Sequence, residues 1–448
     1  MKITITLLFA FFTFHISAQE YTITNVHIIS MNDSSILENH SIHIANGKIQ
    51  AIGTSLKTSG QTINGKGAYL LPGLSEMHSH IPTTDTQDFS YLQDIMWLYL
   101  ANGVLTIRGM IGHPSHLVLK QKIENGEITG PRIFAAGPSL NGNTVTSPES
   151  GREMVKDQKS KGYDHLKIHP GLDMERFIAI AEAAKKENIK IGGHVPLDVG
   201  LENTIKYGYH SNEHMDGYIE AMISDTSCLD QEKAGPFSMN LTSQIDMQKL
   251  PSLVKLTKDY NVFIAPTLSL FDRYFGYIPA EELSKADEMK YLPKSLIDQW
   301  KSQKMKLEGT GQLSEEIVKP YLLARQQILM ALHRENVSIL LSSDSPQVFN
   351  VPGFSIHHEI KSMENAGMSS YEILKSGTRN VAAYFNEEGN FGVISKDASA
   401  DFILIEGNPF EDLDNLKNLQ GIMLRGQWIP KNKVQQELDR IEQKLKND

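Results

Sequence analysis

The sequence predicts an α/β protein whose middle is a parallel sheet or a (β/α)₈ barrel and whose two ends form one small β domain. Between residues 70 and 386, short apolar runs alternate with helical patterns such as Met174 to Glu187. Residues 21–63 consist instead of short β-type runs and turns, and the C-terminal stretch repeats that pattern. A chain of 448 residues can hold a barrel and an added domain.

The first residues form a segment of different character. Lys2 precedes an apolar stretch, Ile3 to Phe14, that is too short to span a bilayer comfortably, and small residues end at Ala18. We expect a signal peptide over 1–18, which makes the protein exported (periplasmic or secreted) with no membrane anchor after cleavage. The single cysteine, Cys228, excludes an internal disulfide, which fits a bacterial periplasm.

Composition and charge narrow the class of partner. Hydrophobic residues make up 40% and charged residues 21% of the chain, as in ordinary globular proteins. The net charge is −10 and no basic run occurs, which argues against nucleic-acid binding. We therefore expect a small-molecule substrate. The sequence leaves the oligomeric state open, a homo-oligomer included.

Both ends of the chain are rich in β-type residues. Residues 19–69 and 387–430 are expected to form one β domain, with Asn46-Gly47 as a hairpin turn. Beyond it, residues 431–448 place four apolar side chains on one helical face, which predicts a C-terminal docking helix.

The middle of the chain, residues 70–386, is expected to form the barrel. Residues of about 270–332 are too many for a simple connection and carry aromatic side chains in a helical pattern. We interpret them as a helical insertion. It is either a lid over a site or an added packing layer.

Two histidines directly follow an apolar run and a Pro-Gly break. His78 and His80 are separated by one residue, so on an extended backbone both rings point to the same side. Imidazole is the commonest protein ligand for zinc-like metals. Taken alone, the pair is equally well explained as two exposed turn histidines.

Other polar residues follow later apolar runs. His194, His214 and Asp344 each occur where such a run ends. In a (β/α)₈ barrel the C-terminal strand ends converge on one site, so these residues are expected to become neighbours of the histidine pair.

Lys167 lies inside the apolar run His165 to Ile168. Burial favours the neutral amine of lysine, and a neutral amine can add carbon dioxide to give a carbamate with two metal-binding oxygens. The alternative is a lysine that points outward between helices, and periodicity does not distinguish the two.

These motifs resemble the amidohydrolase superfamily, and more narrowly its imidazolonepropionase-like and prolidase-like metal-dependent hydrolases. The similarity covers nearly the whole mature chain and includes Leu71-Pro72-Gly73-Leu74, Ser343-Asp344-Ser345 and Thr378-Arg379-Asn380. It implies a distorted (β/α)₈ TIM barrel with a small composite β-sandwich domain formed by both chain ends.

The resemblance also implies a metal centre with six ligands: His78, His80, Lys167, His194, His214 and Asp344. Lys167 would be carboxylated and would bridge two divalent metal ions, for which zinc is our expectation. If Lys167 is not carboxylated, a single metal is expected. Asp344 would be both a ligand and the catalytic acid–base group.

The implied function is a metal-dependent hydrolase that cleaves an amide-type C–N bond in a dipeptide or an N-acyl amino acid. A metal-bound hydroxide would attack the carbonyl carbon, and Asp344 would carry the proton to the leaving nitrogen. The alternatives are a hydrolase of a cyclic amide, an ester or a carbamate, and a metal-binding barrel without catalysis. Arg108, His113 and Tyr218 follow presumed strand ends and are candidate substrate contacts.

The sequence departs from the usual family pattern at two positions. Glu76 stands where many members have Asp, and Gly109 stands where an acidic residue is common. Both changes concern support of the ligands and substrate class rather than the ligands themselves.

Overall fold

The computed structural model describes residues 20–57, 59–224 and 234–447. The predicted signal peptide and Cys228 lie outside the described residues. Within the described ranges, no helix combines the length and the apolar character needed to cross a membrane.

Strands occur at both ends of the chain and, between them, in alternation with helices. The strands are β1 (Tyr21–Ile29), β2 (Ile36–Ala45), β3 (Lys48–Gly53), β4 (Gln61–Pro72), β5 (Leu74–Ser79), β6 (Val104–Gly109), β7 (Arg132–Ala135), β8 (His165–Ile168), β9 (Lys190–Gly193), β10 (Ser211–Glu213), β11 (Phe263–Ala265), β12 (Phe402–Ile405), β13 (Leu419–Leu424) and β14 (Gln427–Pro430).

The helices lie mainly between the barrel strands and at the C-terminus. They are α1 (Ser90–Ala101), α2 (Pro114–Glu124), α3 (Pro148–Ser160), α4 (Met174–Lys186), α5 (Leu201–Lys206), α6 (Tyr218–Met222), α7 (Leu250–Asp259), α8 (Leu268–Leu270), α9 (Ala280–Leu283), α10 (Lys294–Gly309), α11 (Glu315–Arg334), α12 (Phe354–Ala366), α13 (Ser370–Ser376), α14 (Arg379–Phe385) and α15 (Lys431–Asn447). Short 3₁₀ segments occur at Pro236–Gln244, Met247–Lys249, Asp287–Tyr291 and Leu413–Lys417, and a π-helical turn occurs at Phe271–Phe275.

Parallel strands form the wall of a closed barrel. Strands β5, β6 and β7 form one sheet, and β8, β9, β10 and β11 form another. Parallel bridges join β7 to β8 and join β11 to Ile339, and Ser79 at the end of β5 pairs with Ser345. Residues 337–345, which are not a regular strand, thus take the eighth position. The barrel is therefore an eight-membered but distorted ring.

Both chain ends build the second unit. A seven-stranded sheet has the order β14-β13-β12-β4-β1-β2-β3, so N-terminal and C-terminal strands meet where β4 pairs with β12. The edge strand β3 bends toward the segment that precedes β12, because the N–H of Ile49 in β3 donates to the carbonyl oxygen of Ala398. The enclosed side chains form a core of their own, which includes Ile23, Ile44 and Phe402.

Gly73 marks the passage from the β domain into the barrel. A Cβ atom at this position would lie 2.3 Å from Cγ of Leu105 on β6, so only glycine allows the two strands to pack. The break between β4 and β5 directs the following residues along the barrel wall, where β5 is buried throughout. The first histidine of the pair lies on this strand, and the second follows it directly.

The helical insertion and the C-terminal helix cover the outside of the barrel. Helices α9 to α11 occupy most of the region predicted as an insertion. The last helix, α15, buries Val434 and Ile441, and its Arg440 and Lys444 pair with Asp94 of α1 at 2.7 and 2.8 Å. The predicted fold class, a distorted barrel with a β domain from both ends, is confirmed.

Candidate metal centre

The structure brings the six predicted ligands together at the C-terminal ends of the barrel strands. Their four imidazole rings form a continuous row, with centroid distances of 5.4 Å for His80–His78, 4.6 Å for His78–His214 and 4.7 Å for His214–His194. Lys167 and Asp344 adjoin this row, because Lys167 Nζ lies 3.3 Å from His78 Nε2 and Asp344 Oδ1 lies 3.2 Å from His80 Nε2.

Three of these groups surround one point. His78, His80 and Asp344 each direct one ligand-type atom to a place where all three atoms lie within 4.8 Å of one another. Oδ1 of Asp344 is buried and has no hydrogen-bond partner among the described residues. A buried carboxylate oxygen without a partner is costly, and a divalent cation at this point would satisfy it. The residues therefore fit a metal ion.

The histidines are suited to ligation by their protonation state. Burial lowers the pKa of His78, His80, His194 and His214 well below the usual range, and the nearby charge of Lys167 lowers it further. The rings are therefore neutral near pH 7. Neutral imidazole is the form that binds metal.

Lys167 is completely buried on β8 and is not directed outward between helices. Burial lowers the pKa of its ammonium group to about 8, against the opposing effect of Glu213 and Asp344. A substantial neutral fraction near pH 7 is what addition of carbon dioxide to the amine requires.

Two further side chains orient the histidines that follow β9 and β10. Nδ1 of His194 lies 2.6 Å from Oδ2 of Asp216, and Nδ1 of His214 lies 2.8 Å from Oγ1 of Thr267. A partner at Nδ1 fixes the plane of each ring.

Glu213 and Arg108 form a charged pair beneath His78. Oε2 of Glu213 lies 2.9 Å from His78 Nδ1, and Nη2 of Arg108 donates to both Glu213 oxygens at 2.9 Å. Ser211, on the same face of β10, donates to Oε1 at 2.6 Å. All four side chains are fully buried. The pair is therefore a rigid support for the first histidine ligand.

Glu76 links the two segments that carry His78 and Asp344. Its Oε1 accepts the backbone N–H groups of His78 and Ser343, each at 2.9 Å, and Oε2 accepts the hydroxyl of Ser343. The extra methylene of Glu over the Asp expected from the resemblance allows this reach across the barrel. Burial raises the pKa of Glu76 to about 8.

The backbone is strained at two of the predicted ligands. His214 and Asp344 both have φ of +61°, in the left-handed region that side chains other than glycine rarely adopt. Thr267, the partner of His214, has φ of +47°. Such strain persists where the surrounding structure enforces it, and it is concentrated at functional sites.

A cavity of about 850 Å³ adjoins the centre. His194 and Asp216 form part of its wall, and so does Phe237, whose ring lies 5.6 Å from that of His214. A cleft of this size beside a group of neutral imidazoles is the expected position of a small-molecule substrate.

The three residues predicted to contact substrate have other partners. Arg108 is fully buried and donates to Met77 and to Ser211 as well as to Glu213, so it supports the centre from below. Tyr218 is fully buried with its hydroxyl 2.5 Å from Thr257. Neither side chain belongs to the described lining of the cavity.

His113 lies apart from the row of rings. It caps the N-terminus of α2, where its Nδ1 accepts the N–H of Ser115. Its Nε2 lies 3.4 Å from the exposed Asp85. The structure thus gives His113 a capping role and shows no contact with the predicted ligands.

Sequence reasoning did not assign roles to Glu213, Asp216, Thr267 and Gln347. Gln347 contacts Nδ1 of His80 at 3.1 Å. One signal was available for Glu213, since it alternates with Ser211 on an apolar strand that ends beside a predicted ligand. The other three lie in irregular segments, where spacing carries no information about direction.

Fold and centre together define a (β/α)₈-barrel protein with a histidine, lysine and aspartate cluster at the C-terminal strand ends. The model of the amidohydrolase family matches residues 69–429. The chain belongs to this family. Amide-type C–N bonds are the substrates that the family name denotes.

Individual relatives agree with this assignment. The chain is 40% identical over 140 residues to the imidazolonepropionase of Kosmotoga olearia, a match that spans 31% of this chain and about a third (34%) of that relative's length. Among solved structures, a Xaa-Pro dipeptidase with bound methionine superposes with a TM-score of 0.66 at 19% identity, covering 92% of this chain and 100% of that one. Bottromycin amidohydrolase superposes with a TM-score of 0.72 at 17% identity, covering 95% and 90%. The resemblance to imidazolonepropionase-like and prolidase-like proteins is confirmed.

Proposed function

We propose that the protein is a metal-dependent hydrolase that cleaves the amide bond of a dipeptide or an N-acyl amino acid. The observation that carries the proposal is the meeting of His78, His80 and Asp344, whose Oδ1 has no hydrogen-bond partner among the described residues, in a row of rings that ends at His194 in the wall of a cavity of about 850 Å³. The fold likeness to a Xaa-Pro dipeptidase and the family match support the class of bond.

In this proposal the six residues hold two divalent metal ions, zinc by expectation. His78, His80 and Asp344 would hold one ion, His194 and His214 would hold the other, and carboxylated Lys167 would offer one oxygen to each. Without the carbamate, a single ion is held. When bound, such ions lower the pKa of water and polarise a carbonyl oxygen.

Asp344 is the proposed proton carrier. Its side chain is 4% exposed, and burial raises its pKa to about 7 while the charge of Lys167 opposes the rise. A carboxyl group with a pKa near 7 exchanges a proton readily at neutral pH. It would take a proton from the attacking water and deliver it to the leaving nitrogen, so that the amine departs uncharged.

The protein's own groups also hold and shield the reacting bond. Glu213, Asp216 and Thr267 fix the rings, so the centre does not need to reorganise during the reaction. Phe237 lies against two of the rings and limits access of bulk water from the cavity side.

The test is an activity screen of the full mature chain with added zinc or manganese. We expect turnover of dipeptides or N-acyl amino acids that disappears on chelation and falls at least about 100-fold in Asp344→Asn, in line with loss of a general acid–base. Asp157→Asn, an exposed change on α3, is the matched control and should leave activity unchanged.

The same screen separates the alternatives. Turnover confined to cyclic amides, esters or carbamates would replace the proposed substrate class. Metal binding without turnover of any of these compounds would favour a non-catalytic metal-binding barrel.

We also propose that the enzyme acts outside the cytoplasm, in the periplasm or after secretion. The support is the sequence of residues 1–18, with a positive start, an apolar stretch and small residues before Gln19. Mass spectrometry of the protein from its native host should find an N-terminus near Gln19, and an intact Met1 would contradict export by this signal.

A further inference from the structure

Part of the wall of the cavity beside the candidate metal centre is apolar. Val195, Leu197, Val199 and Ala221 line it, and Phe237, in the same wall, has its ring centroid 6.1 Å from that of His194 and 5.6 Å from that of His214. A substrate whose amide bond lies at the ligand rings would place one of its side chains in this space. The wall would desolvate an unbranched aliphatic chain of several carbons.

The polar part of the same wall is acidic. Glu202, Asp216 and Glu220 line the cavity, and the described lining residues include neither lysine nor arginine. Asp216 is engaged with His194, and the exposed Glu202 is paired with Lys206 at 2.9 Å. Within the described part of the chain, Glu220 alone of the three forms no ion pair with a basic side chain within 4.0 Å.

Among the described residues, the carboxyl group of Glu220 is hydrogen-bonded by neutral groups. The hydroxyl of Ser238 donates to its Oε1. Burial raises the pKa of Glu220, because the ionised carboxylate is desolvated, while the hydrogen bond from Ser238 and the charge of Arg325 oppose the rise. A cation supplied by a ligand would pair with the carboxylate and offset that desolvation, whereas an anionic ligand group at this wall would lie beside three carboxyl groups, and the described wall residues include no lysine or arginine to pair with it.

We propose that this cavity binds a substrate side chain that ends in a cation, of the lysyl or arginyl class, with Glu220 as its counter-ion. The inference rests on the proposed function, since it specifies the substrate class of the same site. It places the hydrocarbon stem along the apolar wall and the charged end at Glu220. One of the two residues joined by the scissile bond thus carries the positive charge.

The test uses the zinc-loaded full chain and dipeptides that differ only in one side chain. Lysyl, norleucyl and glutamyl compounds are compared, with the variable residue first on the acyl side and then on the amine side. A charge-assisted hydrogen bond to Glu220 predicts kcat/KM for the lysyl compound at least about tenfold above the norleucyl compound in one series, with the glutamyl compound lowest.

Two variants test whether Glu220 causes the preference for the lysyl compound. Glu220→Gln should lower the ratio of lysyl to norleucyl kcat/KM at least about fivefold while the norleucyl value changes little. Glu182→Gln, an exposed change on α4, is the matched control and should leave the ratio as it is. An equal or reversed order of substrates, or an unchanged ratio in Glu220→Gln, overturns the inference.

A binding measurement separates failure of this inference from failure of the proposed function. If no dipeptide is hydrolysed, the proposed function is contradicted, and calorimetry with 1-aminopentane and 1-pentanol then tests the cavity alone. Tighter binding of the amine, lost in Glu220→Gln, supports the cationic subsite without catalysis. Binding of the amine no tighter than that of the alcohol overturns it.

Discussion

Nδ1 of His78 and Oε2 of Glu213 lie 2.9 Å apart in a fully buried contact. Because an imidazole that donates from Nδ1 presents the lone pair of Nε2, this contact selects the tautomer that ligation requires. Arg108 donates to Glu213 and fixes its position from the other side. The ring of His78, a proposed metal ligand, is thus oriented by Glu213 and Arg108, which are not themselves among the proposed ligands.

Glu213→Gln should weaken metal binding. In a glutamine, one of the two positions that Glu213 fills with acceptor oxygens becomes an N–H₂ donor, which faces either Nη2 of Arg108 or Nδ1 of His78. In the first case two donors oppose each other, and in the second the amide opposes the needed tautomer. We expect an affinity loss of about 10–100-fold for zinc, measured by competition with a chromogenic chelator. Glu220→Gln lies near the same centre without contacting a ligand ring and should keep wild-type affinity; equal losses in both variants would argue against the tautomer mechanism.

Glu76→Ala should destabilise the fold much more than Glu76→Gln. The alanine leaves the buried N–H groups of His78 and Ser343 without their acceptor, at a cost of about 1–3 kcal/mol for each group. The glutamine retains an oxygen for both and an N–H for the Ser343 hydroxyl. Urea unfolding of the metal-free chains measures the difference, and equal free energies of unfolding for the two variants would rule out the bridging role.

Glu359 predicts a pH dependence of stability with a defined sign. Its two oxygens accept the N–H groups of Leu268 and Ser269, and burial raises its pKa from 4.5 to about 8. Between these values the folded state binds more protons than the unfolded state, so this group's contribution to stability falls as pH rises from 4.5 to 8.

Glu359→Gln removes that titration. The free energy of unfolding of the wild type minus that of the variant should therefore decrease across pH 5 to 8 and level off above pH 8, as followed by urea unfolding at fixed ionic strength. Taking the difference cancels the other buried carboxyl groups. A difference that stays constant or grows with pH would show that Glu359 is ionised in the folded state at low pH.

The barrel and its ligand set were predictable because they depend on regular patterns. Apolar runs alternate with helical patterns along the sequence, so the end of each strand can be located. Because parallel strands in a barrel bring their C-terminal ends to one place, His78, His194 and His214 could be predicted as neighbours from the sequence. The eighth barrel position was recognised through Asp344, although residues 337–345 lack regular strand geometry.

The orienting residues were not predictable in the same way. Asp216, Thr267 and Gln347 act from turns, and their direction depends on local φ and ψ values such as +47° for φ at Thr267. Arg108 and Tyr218, predicted as substrate contacts, are fully buried, because position after a strand end does not distinguish a side chain that enters the cavity from one that lies beneath its floor.

The central claim, a metal centre bridged by Lys167, is tested most directly by counting metal ions. The full mature chain is stripped with chelator, reconstituted with zinc in buffer containing bicarbonate, and analysed by plasma mass spectrometry. We expect about two zinc ions per wild-type chain, at most about one in Lys167→Ala, and the wild-type number in the surface control Lys161→Ala. A wild-type chain that binds no zinc, or a Lys167→Ala chain that retains the full number, would contradict the claim.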